Sequence, residues 1–371
     1  MQNKSFFFNF VKNIVKSNIY CNLTKNFNMK SVLTILITIS FICFSAYGQT
    51  NTSKAYAEVA YNKAIYFIMQ GNYKDAIASL EKAISYDNNY EAALLKKAFL
   101  EFELEYYESA YKDFDAVTTI NPNNGEAYFG KGYINFIKNK YSEALVDFNN
   151  ALNNFYYEKN IYYYIGLIHF KNNNYSDAII SFTSAIIRDT SFALAYNERA
   201  AAYLALKDFD KAHKDYQNAV KYNPLLVNAY NGLGYTYKLK NDFEAAYQCY
   251  STAIKINPEY NIALTNRGEI LILMEKYEQA INDLKLAINY DSTNYIAYNN
   301  LGIALYKSGD KKAAIEAFSK AIKLKNDYAL AYSNRANAKE RLFDFDGACE
   351  DWKKAISLGM NEANKYLEYC K

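Results

Sequence analysis

Apolar and polar positions along the chain repeat with a period of 34 residues. The stretch Val227–Tyr260 shows the unit (VNAYNGLGYTYKLKNDFEAAYQCYSTAIKINPEY). Tyr230, Gly234 and Tyr237 are spaced by four and then three, and so are Ala246, Tyr250 and Ala253. Such spacing puts each trio on one face of a helix. Between the trios, Lys240-Asn241-Asp242 breaks the pattern as a turn does, and Pro258 closes the unit where a helix cannot continue. The pattern predicts two short amphipathic helices packed as a hairpin.

Counting by 34 in both directions gives nine repeats without insertion or deletion, starting at Ala57, Glu91, Gly125, Lys159, Ala193, Val227, Asn261, Tyr295 and Ala329. The twentieth place is always Ala, from Ala76 to Ala348. The eighth is Gly or Ala, and the twenty-seventh is Ala except for Val117. Two helices approach closely only where small side chains face each other, and a larger intruder costs about 1–3 kcal/mol. Aromatic residues or Leu recur at the twenty-fourth place, including Phe114, Phe148, Phe182 and Trp352, to fill the space around the crossing. An aromatic residue also opens the second helix in every repeat but the eighth, where Lys311 stands.

This pattern resembles the tetratricopeptide repeat, over residues 57–362. Tyr or an aliphatic residue replaces the family's usual Trp at the fourth place, and six repeats lack the proline. The resemblance implies an all-α fold: a right-handed superhelical solenoid of helix hairpins, with the first helix of each pair lining the concave side. Residues 49–56 read as a short linker and 363–371 (ANKYLEYCK) as a capping helix, its Tyr366 and Leu367 covering the last repeat.

The seventh and twenty-third places vary together. Lys97, Lys131, Arg199, Arg267 and Arg335 accompany Asp113, Asp147, Asp215, Asp283 and Asp351. Apolar Ile165, Leu233 and Leu301 accompany small Ser181, Cys249 and Ala317, and only Lys63 with Ser79 departs from the rule. An ion pair between the two helices of one repeat is expected, so these cations form no free basic surface.

Composition adds a leader. Residues 1–48 hold five Lys and no acid; the chain has 42 basic and 39 acidic residues, so without those five the balance is 37 to 39. A near-neutral remainder gives no basic face for nucleic acid. Met29-Lys30, the apolar run Ser31–Ser45 and the small residues Ala46 and Gly48 form the parts of a secretory signal peptide over 29–48, cut after Gly48. Anchoring through Ser31–Ser45 is the alternative, although a span needs roughly 20 apolar residues. Residues 1–28 read as an upstream extension, with translation starting at Met1 or Met29. An extracytoplasmic location, periplasmic or secreted, is expected. It permits a Cys349–Cys370 disulfide, but two unpaired thiols is the reading preferred.

Catalytic chemistry has no footing. His169 and His213 fall on helix positions, no phosphate-cradling glycine loop occurs, and no set of three or four ligands is patterned for a metal. Neither enzyme activity nor a cofactor is expected. Recognition is a different matter, because the resemblance places the second, fifth, sixth, ninth, twelfth and thirteenth places of each first helix on the groove. The early repeats bring Tyr61, Phe99, Phe102, Phe129, Tyr133, Phe136, Tyr163, Tyr164 and Phe170 there; the later ones bring Asn197, Asn228, Asn231, Asn266, Asn299, Asn300, Asn334 and Asn337. Aromatic rows anchor apolar groups or stack on sugars. Amides donate and accept, so a row of them binds an extended peptide through its backbone. Asn266, Asn300 and Asn334, on successive sixth places, resemble the asparagine ladder of O-linked N-acetylglucosamine transferases. No repeat has the fifth-place Lys with which chaperone adaptors of this family grip a terminal carboxylate. The expected function is a non-catalytic interaction scaffold for a protein or peptide. The alternatives are a carbohydrate- or envelope-polymer-binding module and a targeting subunit for a separate enzyme.

Overall fold

The computed structural model describes residues 52–370. The leader, its cleavage point, the alternative anchor and the upstream extension lie outside them. The described chain forms two compact bodies, one ending at Ile165 and one starting at Gly166. The first holds α1 (Thr52–Met69), α2 (Tyr73–Tyr86), α3 (Glu91–Glu103), α4 (Tyr107–Ile120), α5 (Gly125–Ile137) and α6 (Tyr141–Asn153). The division falls within α7 (Lys159–Lys171). The second continues with α8 (Tyr175–Arg188), α9 (Ala193–Ala205), α10 (Phe209–Tyr222), α11 (Val227–Leu239) and α12 (Phe243–Ile256). It ends with α13 (Asn261–Leu273), α14 (Tyr277–Tyr290), α15 (Tyr295–Ser308), α16 (Lys311–Leu324), α17 (Ala329–Glu340) and α18 (Phe345–Ser357). Helix α1 starts at Thr52, five residues ahead of the repeat frame, and Tyr56 packs on Tyr86 with ring centroids 5.5 Å apart.

The small places work by accommodating the twenty-fourth-place side chain. A Cβ at Gly234, an eighth place, would lie 2.7 Å from Tyr250 of the same repeat. A Cβ at Gly232, a sixth place, would lie 2.3 Å from Tyr216 of the preceding repeat. One aromatic ring therefore seats against its own first helix or against the next, wherever a residue without a side chain makes room. The turn between the helices is equally regular. The fifteenth place has positive φ in all nine repeats: Gly71, Glu105, Asn139, Asn173, Lys207, Asn241, Glu275, Gly309 and Phe343. Gly and Asn suit that conformation, whereas Glu, Lys and Phe are strained in it by roughly 1 kcal/mol or more. The residue that follows caps the second helix in several repeats. Asp208, Asp242, Asp310 and Asp344 each accept the backbone N–H three residues on.

Four of the five expected ion pairs form. Lys97 Nζ reaches Asp113 at 2.9 Å. Arg199, Arg267 and Arg335 bind Asp215, Asp283 and Asp351 through two N–H groups each, at 2.6–2.8 Å. Lys131 is the correction. Its Nζ pairs with Asp115 of the preceding repeat at 2.7 Å, while Asp147 accepts from Asn135 Nδ2 at 2.8 Å. The reason lies in the twenty-fifth place of the preceding repeat, which carries a polar oxygen. Each arginine also donates there: Arg199 to Thr183 at 2.9 Å, Arg267 to Ser251 at 3.1 Å and Arg335 to Ser319 at 2.9 Å. The seventh-place cation thus stitches three helices in the second body. Lysine has one nitrogen where arginine has three, and at Lys131 it goes to the neighbouring repeat.

The end of the chain brings one more correction. Residues Asn361–Tyr369 form a 3-10 helix at the place of the expected capping helix. Tyr366 lies flat on Trp352 at 4.8 Å, Ala363 is buried beside it, and Leu367 packs on the same cluster. Cys349 and Cys370 are joined as a disulfide with Cα atoms 5.6 Å apart, so the two-thiol reading is overturned. The aromatic stack brings the two cysteines together, which sequence spacing alone does not show.

Candidate functional site

In the first body most of the expected aromatic residues pack ring against ring. Tyr133 packs on Phe102 at 5.2 Å, Phe129 at 6.1 Å and Tyr164 at 4.6 Å. Phe129 continues to Phe148 at 6.0 Å, Phe99 meets Phe114 at 5.0 Å, and Phe136 and Tyr163 both touch Tyr164. Tyr61 stands apart, against Tyr90 at 5.3 Å. Phe99, Phe102, Phe129, Tyr133 and Tyr164 are buried; Tyr61, Phe136 and Tyr163 are half-buried. The row is therefore mainly packing between neighbouring first helices. Burial pushes the Tyr164 hydroxyl well up and the Tyr133 hydroxyl up, and the two hydroxyls are hydrogen-bonded to each other. Nearby, burial lowers the Lys96 ammonium against the pull of Glu126, and raises the Glu103 carboxyl.

The second body carries the amides, and they pair across repeats. Asn266 Nδ2 donates to Asn231 Oδ1 at 2.8 Å, and Asn334 Nδ2 donates to Asn299 Oδ1 at 3.0 Å. In both cases a sixth place binds the fifth place one repeat earlier. Asn299 Nδ2 also donates to Asn300 Oδ1, at 3.4 Å. Asn299 is fully buried and Asn300 nearly so, while Asn231, Asn266 and Asn334 stay half-buried. Each half-buried amide keeps unspent donors or lone pairs. Asn228 is exposed; Asn337 accepts from Trp352 Nε1 at 3.2 Å and is tied into the last repeat. Phe170, in this body, packs on Tyr175 at 5.3 Å.

Asn197 differs from its siblings. Its Nδ2 donates to Glu198 at 3.0 Å, and its buried Oδ1 has no donor. Glu198 was not among the residues expected from sequence. The available signal was its place: a sixth position, the place of the ladder, occupied by a carboxylate. Burial pushes that carboxyl up, opposed by the bond from Asn197. The twenty-fifth-place stitch was also legible, since Glu81, Asp115, Thr183, Ser251 and Ser319 precede the five repeats that combine a basic seventh place with Asp at the twenty-third.

The two histidines of the sequence reading are helix residues: His213 Nδ1 lies 2.8 Å from Thr236 Oγ1 of the next repeat. Burial pushes the Cys249 thiol up to about 11. Among the described residues no group of three or more His, Cys, Asp or Glu is placed to hold a metal ion. None of their helices is long and apolar enough to cross a membrane.

Comparison with known proteins agrees with this architecture. A family model described as ETO1 C-terminal domain matches residues 164–371, and one described as tetratricopeptide repeat matches residues 57–90. No curated protein matches the chain. Among solved structures, the Cut9–Hcn1 hetero-tetramer of the APC/C is similar at a TM-score of 0.56 and 16% identity, over 87% of this chain and 78% of that one. The pilF protein of Pseudomonas aeruginosa is similar at a TM-score of 0.51 and 18% identity, over 57% of this chain and 97% of that one. At such identities the likeness is one of fold.

Proposed function

We propose, for a chain that belongs to the tetratricopeptide-repeat family and over residues 164–371 to the family described as the ETO1 C-terminal domain, a protein-interaction scaffold whose second body binds an extended peptide segment. The observation that carries this reading is the amide row. Asn266, Asn300 and Asn334 occupy the same place on α13, α15 and α17, and their neighbours Asn231 and Asn299 hold two of them by hydrogen bonds. A held amide presents its remaining donor and acceptor at a fixed position, and amides one repeat apart suit the repeating N–H and C=O groups of an extended backbone. The aromatic cluster of the first body has the burial of packing residues, so it supports no separate carbohydrate-binding reading.

Export from the cytoplasm belongs to the same proposal. It rests on the leader sequence and is supported by the Cys349–Cys370 disulfide, since such bonds persist in oxidising compartments. The test is affinity capture from envelope extract with the full chain and with the triple variant Asn266→Ala, Asn300→Ala, Asn334→Ala. The expected result is a protein retained by the parent chain and lost with the variant, at matched helical content. Equal recovery by both would sink the proposal.

A further inference from the structure

We propose that Asn197 and Glu198 on α9 form the subsite where the amide face receives a basic residue of its peptide, a lysine or arginine side chain. This rests on the peptide-binding reading and names the chemistry of one position in the ligand.

The subsite follows from an interruption in the ladder. In two places the fifth-place amide oxygen accepts from a sixth-place amide one repeat on. Asn197 is also a fifth-place residue, but the sixth place one repeat on is Gly232. No amide fits there, because a Cβ at Gly232 would lie 2.3 Å from the Tyr216 ring. Asn197 is only 7% exposed, and its Oδ1 is left without a donor. A buried acceptor in that state costs free energy until a donor arrives.

Glu198 stands beside it on the same helix. One carboxylate oxygen accepts from Asn197 Nδ2 at 3.0 Å, and that bond fixes the head group. Arg199, the next residue in the chain, is engaged elsewhere, with Asp215 and Thr183. Tyr216 lies close enough to both Glu198 and Tyr260 for each to push its hydroxyl up, in addition to burial. The groups that act on Glu198 are Asn197 and Tyr216, and no cation is among them. A desolvated carboxylate is stabilised by an opposite charge that also brings N–H donors. An ammonium or guanidinium supplies both. A neutral donor would leave the charge uncompensated. A metal ion needs further ligands, and none converge here.

The probe is a random twelve-residue peptide library displayed on phage and selected on the full chain. Leading peptides are then synthesised, and each basic position is replaced by norleucine or citrulline. Binding is measured to the parent chain, to Glu198→Gln, to Asn197→Ala and to the Asn266, Asn300, Asn334 triple-alanine variant. The expected result is one recurring Lys or Arg whose replacement weakens binding about tenfold or more. Glu198→Gln should give a similar loss, and the two losses should not add, because they remove the same contact. Asn197→Ala should lose less. Peptides that depend on the three ladder asparagines but carry no basic position, or whose losses add, would overturn this inference and leave the ladder reading standing. If no selected peptide is weakened by the triple variant, the ladder reading falls and takes this subsite with it.

Discussion

The two bodies solve the same packing problem with different chemistry. Neighbouring first helices in residues 52–165 meet through rings: Phe102, Phe129 and Tyr133 touch one another or the ring of Tyr164. In residues 166–370 they meet through amides and charge, with Asn231–Asn266 and Asn299–Asn334 along the first helices and an arginine stitch beneath. Rings need no partner and tolerate gradual change. Amides and charges must be paired at each step, so a step without its partner stands out. Asn197 opposite Gly232 is such a step, and it is visible only against the two pairs that close.

The largest expected effect breaks the charged side of this contrast. Arg267→Met leaves Asp283 almost buried without its cation, and a cost of about 3–5 kcal/mol is expected in denaturant unfolding. Adding Asp283→Ala should recover part of it. Equal melting temperatures for the single and double variants would exclude the pairing. Lys131→Met in the first body should cost less than about 1 kcal/mol, because its partner Asp115 is largely exposed.

Tyr133→Ala attacks the aromatic side. It removes the ring between Phe102, Phe129 and Tyr164, and about 3 kcal/mol is expected. Hydrogen exchange should show the loss in α3, α5 and α7 first, since repeat arrays lose structure locally. Asn334→Ala, which strands buried Asn299 Oδ1, should cost about 1–2 kcal/mol in α15 and α17.

A smaller change makes the second body more like the first. Tyr250 is fully buried and its hydroxyl has no partner, whereas Phe114 and Phe148 hold the same place in the first body. Tyr250→Phe should therefore stabilise by about 1 kcal/mol, seen as a higher Tm. A lower Tm would show that the hydroxyl has a partner in solution.

The smallest effect is pH-dependent. The Glu198 carboxyl is raised by burial above the ordinary value of 4.5. Its folded state thus disfavours the charge, and the penalty is present at neutral pH and lost as pH falls through the raised value. Glu198→Gln should raise Tm near pH 7, and the gain should fade as pH falls through the raised value and vanish below pH 4.5, where both folded and unfolded states hold the proton. A gain independent of pH would place its origin outside this carboxyl.

The sequence by itself determined the all-α array of helix hairpins over the described residues. These depend on local periodicity: small residues at the eighth and twentieth places, a turn at the fifteenth, an aromatic at the twenty-fourth. Four of five intra-repeat ion pairs were legible too, because both partners co-vary within one repeat. Tertiary structure alone decided which partner a polar group takes from a neighbouring repeat. Lys131 reaches back to Asp115, Asn266 and Asn334 pair with the fifth place of the repeat before, and Cys370 meets Cys349 beside the Tyr366–Trp352 stack. A 34-residue period says which face a side chain is on. Which of several oxygens within reach it binds depends on distances of a few ångströms between separate helices, and these exist only once the helices have packed.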